Sequence, residues 1–165
     1  YVRQNNIYVE DLLDHQITAL TKSGSADVIN GTFDWVYEEE FGLRDGFRWS
    51  PDGKSFAYWQ LDTGGVREFS MINNTDALYP RVIPIKYPKV GQRNSACRVG
   101  VVDVRGGKTR WLEIPGSPHN HYIARMDWAA GSDEILLQQL NRRQNTNRVM
   151  LADARIGKVK TILTE

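Results

Sequence analysis

The sequence predicts an all-β chain: a partial β-propeller of four-stranded antiparallel blades that carries one short inserted helix. Three observations predict it. An outer hairpin occurs three times, an inner hairpin alternates with it, and two excesses of spacing mark insertions into the repeat.

The outer hairpin reads "NIYVEDLLDHQITAL" from Asn6, "RVGVVDVRGGKTRWL" from Arg98 and "RVMLADARIGKVKTI" from Arg148. Each copy is an apolar strand, an aspartate, a short turn and a second strand. The aspartates are Asp11, Asp103 and Asp153, and an apolar residue stands nine positions after each: Leu20, Leu112 and Ile162. Gly106, Gly107 and Gly157 supply the positive φ that tight hairpins demand. The inner hairpin reads "FRWSPDGKSFAYWQL" from Phe47 and "MDWAAGSDEILLQQL" from Met126, with Trp49 and Trp128 at the head of each. In Ser50-Pro51-Asp52-Gly53, proline fixes one φ and glycine frees another, which makes a turn. Inner hairpin followed by outer hairpin is a four-stranded blade, and blades in tandem form a propeller. The chain holds two blades and half of another.

Spacing locates what has been added. Asp103 to Trp128 is 25 residues whereas Asp11 to Trp49 is 38, an excess of 13 that falls on "DWVYEEEFG". Trp128 to Asp153 is again 25 whereas Trp49 to Asp103 is 54, an excess of 29 around "TGGVREFSMINNTDALYPRVIPIKYPKVGQRN". Strand-like runs and prolines in the second insertion predict extended, partly edge-like structure. Additions to a repeat scaffold tend to lie on one face and to serve binding.

Composition bounds the partners. The 165 residues are 41% apolar and 25% charged with a net charge of +1, enough for one domain with a real core and no bias toward nucleic acid or a membrane surface. No apolar run reaches 18 residues, so no membrane-spanning helix is expected. The chain shows no secretory leader and begins with Tyr1 inside a strand-like run, which reads as a piece of something longer. A single cysteine, Cys97, permits no internal disulfide and is expected as a buried free thiol.

The inserted glutamates carry the chemistry. Asp34 suits an N-cap and Gly42 a C′ position, so Trp35 to Phe41 is expected as a two-turn helix. Tyr37 and Phe41, at i and i+4, would pin one side to the scaffold. Glu39 and Glu40 are then neighbours about 100° apart around the axis, with Glu38 turned further away. Two carboxylates about 4 Å apart repel by ~1 kcal/mol in water and ~4 kcal/mol at an effective dielectric near 20, so a shielded pair wants a cation. An ammonium satisfies that demand. A short acidic run is also commonly a solvated face or a partner of the helix dipole, and the residues alone leave both readings open.

Other candidates weigh less. His119 and His121 form H-x-H without a third ligand nearby, so no metal and no cofactor is expected. Tyr122 is expected to pack at a blade edge, and Arg142 and Arg143 to pair with local acids or solvent. Asn30 and Asn73 match the N-glycosylation sequon, a pattern that recurs by chance.

The stretches "DWVYEEEFG", "RWSPDGKSFAYWQLD", "YPRVIPIKYPKVG", "HYIARMDW" and "LNRRQNTNRVMLADARIGK" together closely resemble the β-propeller domain of dipeptidyl peptidase IV and its relatives in the prolyl oligopeptidase family. The resemblance covers nearly the whole chain. It implies that residues 1–165 belong to a propeller that caps an α/β-hydrolase domain, the chain's partner together with the remaining blades. It also implies that Glu39 and Glu40, the last two glutamates of the motif, bind the free α-ammonium of a peptide substrate. The implied activity of the whole is that of a serine peptidase releasing N-terminal X-Pro dipeptides, and family membership favours an extracytoplasmic location. No G-x-S-x-G nucleophile elbow occurs in these 165 residues, so catalytic residues are expected outside them. Non-enzymatic relatives exist, and a propeller acting only as a protein-interaction module is the alternative. Blade faces left without neighbours predict self-association.

Overall fold

The computed structural model describes all residues from Tyr1 to Glu165. Three strands come first: β1 (Val2–Arg3), β2 (Asn6–Glu10) and β3 (Ile17–Ala19), ordered β1-β2-β3. The second sheet uses β4 (Val28–Asn30), β5 (Phe47–Trp49), β6 (Ser55–Asp62), β9 (Ala96–Asp103) and β10 (Arg110–Trp111). A separate two-stranded hairpin, β7 (Glu68–Asn73) with β8 (Arg81–Lys86), leaves the second sheet between β6 and β9. The third sheet is the simple meander β11 (His121–Trp128), β12 (Glu134–Asn141), β13 (Asn147–Asp153) and β14 (Val159–Thr164). All pairings are antiparallel. The architecture is the expected partial propeller: two blades and an outer hairpin.

The repeated aspartates close the outer hairpins in one way. Each accepts, through Oδ1, the N–H two residues on: Leu13 for Asp11 (2.8 Å), Arg105 for Asp103 (2.8 Å) and Arg155 for Asp153 (2.7 Å). This Asx turn lets a short polar side chain stand in for a backbone turn. Gly106 (φ 87°) and Gly157 (φ 81°) take the left-handed positions, and His15 (φ 58°) does so in the first hairpin. Of the residues nine positions on, Leu20 and Leu112 are buried between blades, whereas Ile162 is exposed.

The first insertion enters within a strand, not ahead of one. β4 and β5 lie end to end along the same edge of β6, pairing with Asp62–Gln60 and with Tyr58–Phe56. Trp59, between those pairs, donates its N–H to Gly46 O (3.0 Å) and accepts from Gly31 N (2.9 Å). Gly31 and Gly46 are themselves joined, Gly46 N to Gly31 O, at 3.0 Å. A Cβ on Gly46 would stand 2.5 Å from the Gly31 carbonyl carbon, so this pinch requires glycine. Residues 32–45 are thereby extruded from the innermost strand and cross to the next blade.

The second insertion is the hairpin β7–β8. It is extended, as expected, and its face is largely exposed, with Phe69, Met71, Ile72, Val82 and Ile83 all open to solvent. Between the last two blades lies the main core: Trp59, Leu61, Val99, Ile123, Ile135, Leu137 and Met150 are each fully or almost fully buried. Trp59 Nε1 donates to Ile123 O (2.9 Å), and Trp128 Nε1 donates to Arg48 O (3.1 Å), so an indole ties the blades together at each end. A smaller core of Ile7, Leu20, Phe56, Tyr58 and Val102 joins the first hairpin to the second sheet. Asn30 is fully buried, its side-chain amide donating to Asn5 O (2.9 Å) and its Oδ1 accepting from Gln60 (2.6 Å). That sequon is closed to a glycan in the folded chain.

Candidate functional site

The glutamates sit on a single wide turn. The expected two-turn α-helix from Trp35 to Phe41 is instead a π-helical turn, Val36–Glu40, closed by Gly42 at φ 65°. Leu43 N reaches back to Tyr37 O at 3.1 Å, one residue further than an α-helical ending of this kind, which is how the widened turn terminates. Asp34 caps it as expected: Oδ1 accepts from Tyr37 N at 3.0 Å. Its other oxygen, Oδ2, accepts at 2.6 Å from the Oγ of Ser95, the residue just ahead of β9. Burial pushes the Asp34 carboxyl above the usual carboxylate range, and the hydrogen bonds from Ser95 and from the backbone of the turn offset part of that rise.

One side of the turn is nailed to the third sheet. Tyr37 is fully buried and its hydroxyl accepts Ile123 N at 3.1 Å. Phe41 stands 5.5 Å from the Tyr37 ring and 5.2 Å from Tyr122, all centroid to centroid. The pinning pair expected from spacing is thus formed, and Tyr122, the second residue of the third sheet's edge strand β11, is what it packs on. On the opposite side Trp35 lies against Tyr87 at 4.3 Å, at the base of the exposed hairpin.

The three glutamates are not equivalent. Glu38 pairs with Arg44, on the same extruded segment. Glu39 and Glu40 are exposed, and neither has a cation within ion-pair distance. The turn therefore presents two exposed carboxylates without counter-ions from a base held by Asp34 and Tyr37. Such a pair can hold an ammonium by charge-assisted hydrogen bonds. Glu40 also lines a cleft of about 830 Å³ with Trp35, Tyr87, Lys89, Tyr122 and Arg142.

The remaining candidates resolve individually. His121 is buried, which pushes its pKa down, and it donates from Nε2 to Cys97 O while Nδ1 accepts from Gln139. His119 donates from Nδ1 to Asn94 O and accepts from Arg93 at Nε2. Both rings spend their nitrogens on protein partners. Cys97 is a buried free thiol as expected. Arg142, expected to pair with local acids or solvent, instead donates to Tyr122 Oη (2.7 Å) and Gln92 O (2.9 Å), because its turn faces a phenol and a carbonyl rather than a carboxylate. Arg44, Ser95 and Tyr87 carry no mark in the sequence. Arg44 lies six positions from Glu38, outside helical spacing, and Ser95 meets Asp34 across 61 residues, so neither contact leaves a local signal.

A family model described as the dipeptidyl peptidase IV (DPP IV) N-terminal region matches residues 1–165. The chain belongs to the dipeptidyl peptidase IV N-terminal region family. A relative from Podospora anserina named "Probable dipeptidyl-aminopeptidase B" is 35% identical over 96% of this chain and 19% of its own length. "Prolyl endopeptidase FAP" of Mus musculus is 33% identical over 94% of this chain and 21% of its own. Among solved structures, Porphyromonas gingivalis dipeptidyl peptidase 4 superposes with a TM-score of 0.91 at 33% identity, covering 99% of this chain and 23% of that one. The chain thus spans about a fifth of the length of the curated relatives it matches.

Proposed function

We propose that this DPP IV-type segment is the substrate-gating part of a post-proline serine dipeptidyl peptidase. In this reading Glu39 and Glu40 hold the free N-terminal ammonium of a peptide, so that N-terminal X-Pro dipeptides are released by a hydrolase domain elsewhere in the same polypeptide. The observation that carries the reading is the asymmetry of the glutamates: Arg44 neutralises Glu38 and leaves Glu39 and Glu40 exposed without counter-ions on a turn anchored by Asp34 and Tyr37. A fixed ammonium site turns a peptidase into a ruler, because the scissile bond then lies a set number of residues away. Holding a substrate in near-attack geometry can supply ~7 to 11 kcal/mol of the barrier. No cofactor enters this scheme, and the partners are the peptide, the hydrolase domain and the neighbouring blades. Family resemblance favours an extracytoplasmic setting.

The exposed apolar hairpin β7–β8 supports a second reading, a propeller that serves as a protein-interaction module without catalysis. One experiment separates the two. The full-length polypeptide carrying this segment is assayed with Gly-Pro and N-acetyl-Gly-Pro chromogenic substrates. Turnover of the free amine with severe loss on acetylation is expected; equal turnover of both removes the ammonium role, and turnover of neither favours the interaction module.

A further inference from the structure

The cleft beside Glu40 carries more positive charge than its own acids balance. Lys89, Arg142 and Arg143 line it, and none of the three has a carboxylate within ion-pair distance; Glu40 is the one acid on its wall. What sets the three apart is that they share one concave wall, whereas cations such as Arg44, Arg48, Arg81, Arg105 and Arg155 each stand beside an acid of their own. Three cations gathered on one concave wall repel one another unless an anion joins them.

The wall is built rather than incidental. Arg142 and Arg143 stand on the turn between β12 and β13, which Asn141 locks. Its Oδ1 accepts from Asn145 N (3.1 Å) and Thr146 N (3.3 Å), while its Nδ2 donates to Asn145 Oδ1 (2.7 Å). Gln144 completes the turn in the left-handed region at φ 57°. Arg142 donates from Nη1 to the Tyr122 hydroxyl oxygen and from Nη2 to Gln92 O, which fixes its guanidinium. With Arg142 on its acceptor side, that hydroxyl has its own proton free, and no protein atom takes it. A free O–H donor beside the fixed Arg142 guanidinium, on a wall that also carries the exposed Lys89 and Arg143, suits a carboxylate.

We propose that this cleft is a carboxylate-binding subsite, in which Tyr122, Arg142, Arg143 and Lys89 receive an acidic group carried by the same peptide whose ammonium Glu40 holds. The proposal rests on the ammonium reading given above and extends it to a substrate class: peptides with an acidic group close to the amino terminus. The acid can come from the side chain of a first-position Asp or Glu, or from the free C-terminus of a very short peptide. Both present a carboxylate within a few bonds of the ammonium, and the cleft opposes unlike charges across one aromatic wall.

Equilibrium binding to the full-length protein tests this without relying on turnover. Calorimetry with Glu-Pro-amide and Gln-Pro-amide isolates the side-chain source, and Gly-Pro against Gly-Pro-amide isolates the C-terminal source. The acidic member of at least one pair is expected to bind about 5- to 10-fold more tightly at low salt. The preference is expected to shrink as salt is raised. It is expected to collapse toward one in the Lys89→Gln/Arg143→Gln variant, whose substituted side chains are exposed and whose fold is checked by circular dichroism. Equal affinities within both pairs, or a preference that persists in the double variant, overturn the subsite. N-acetyl-Glu-Pro-amide separates this proposal from the one beneath it. Loss of binding on acetylation with no acidic preference keeps the ammonium site and rejects the subsite. A preference that survives acetylation keeps the subsite and rejects the ammonium role.

Discussion

Arg44 pairs with Glu38 and thereby divides three consecutive glutamates into one compensated and two uncompensated charges. If the proposed function holds, Glu39→Gln and Glu40→Gln in the full-length protein each lower kcat/KM for dipeptide release by about 10- to 100-fold, the worth of one charge-assisted hydrogen bond. Glu38→Gln removes an exposed ion pair of small value and is expected to change kcat/KM by less than about fivefold. Equal losses from all three substitutions would show that the pairing with Arg44 does not select the functional carboxylates.

Asp34 holds the turn through Tyr37 N and Ser95 Oγ, yet its carboxyl is buried. Its pKa is raised in the folded state, so the folded chain favours the protonated form and loses stability as pH rises through that raised value. Asp34→Asn keeps the capping acceptor and removes the buried charge; it is expected to be at least as stable as the parent in a denaturant titration at pH 7. Asp34→Ala loses the cap and is expected to cost about 1 kcal/mol. The two variants unfolding at the same midpoint would contradict this account.

Much of the fold is legible in the sequence because the repeat is enforced locally. Asp11, Asp103 and Asp153 each act on an N–H two residues away, so their spacing carries the hairpins without tertiary information. The Tyr37 and Phe41 pairing is legible for the same reason. What the sequence hides is set by distant partners. Spacing counts residues but does not say where the excess leaves the strand, and only the pinch of Gly31 against Gly46 opposite Trp59 puts the insertion inside one. Helical periodicity does not foresee the π-turn, which is held by partners far away in sequence, Tyr37 on Ile123 and Asp34 on Ser95. Nor does any local pattern reveal the partners of Arg142, because Tyr122 and Gln92 lie 20 and 50 residues away.

Behind the turn, burial pushes the Cys97 thiol up to about 12, and it drives Tyr37 well above its ordinary value of 10.0. Between pH 9 and 12 the unfolded chain releases protons that the folded chain retains, so stability is expected to fall as pH rises through that window. Alkylation of Cys97 at pH 9 should be slower in the native protein than in urea by roughly 500-fold, since only the thiolate reacts. Rapid labelling of the native protein would mean that the site beneath the glutamates is open.

Two turn glycines separate backbone strain from steric conflict. A Cβ at Gly53, φ 69°, would meet nothing within 4 Å, whereas at Gly157, φ 81°, it would stand 2.6 Å from Trp111 O in the neighbouring blade. Gly53→Ala is expected to cost about 1 to 2 kcal/mol, the left-handed penalty alone. Gly157→Ala should cost distinctly more, because Glu113 N also bonds to Gly157 O at 2.8 Å and the two blades would have to separate. Chemical denaturation compares them, and equal shifts would remove the inter-blade contribution.

The outer surfaces of this 165-residue polypeptide are apolar where a blade would be covered. On the third sheet Leu136 pairs with Leu151, and both point away from the buried row of Ile135, Leu137, Met150 and Ala152. Ile162 and Leu163 on the free edge strand β14 are about half exposed. On the first sheet Tyr1 stacks on Tyr8, opposite the buried Ile7. Burial is worth ~25 cal/mol per Å², so a few hundred Å² of open face represents on the order of 10 kcal/mol of association not realised by the lone chain. The unpaired edges of β14 and of the hairpin β7–β8 add backbone groups ready to accept another strand. The polypeptide alone is therefore expected to self-associate at micromolar concentration in sedimentation velocity, with Leu136→Lys shifting the distribution toward monomer. A folded, monodisperse monomer across that range would show that these blade faces are stable against water without a neighbour.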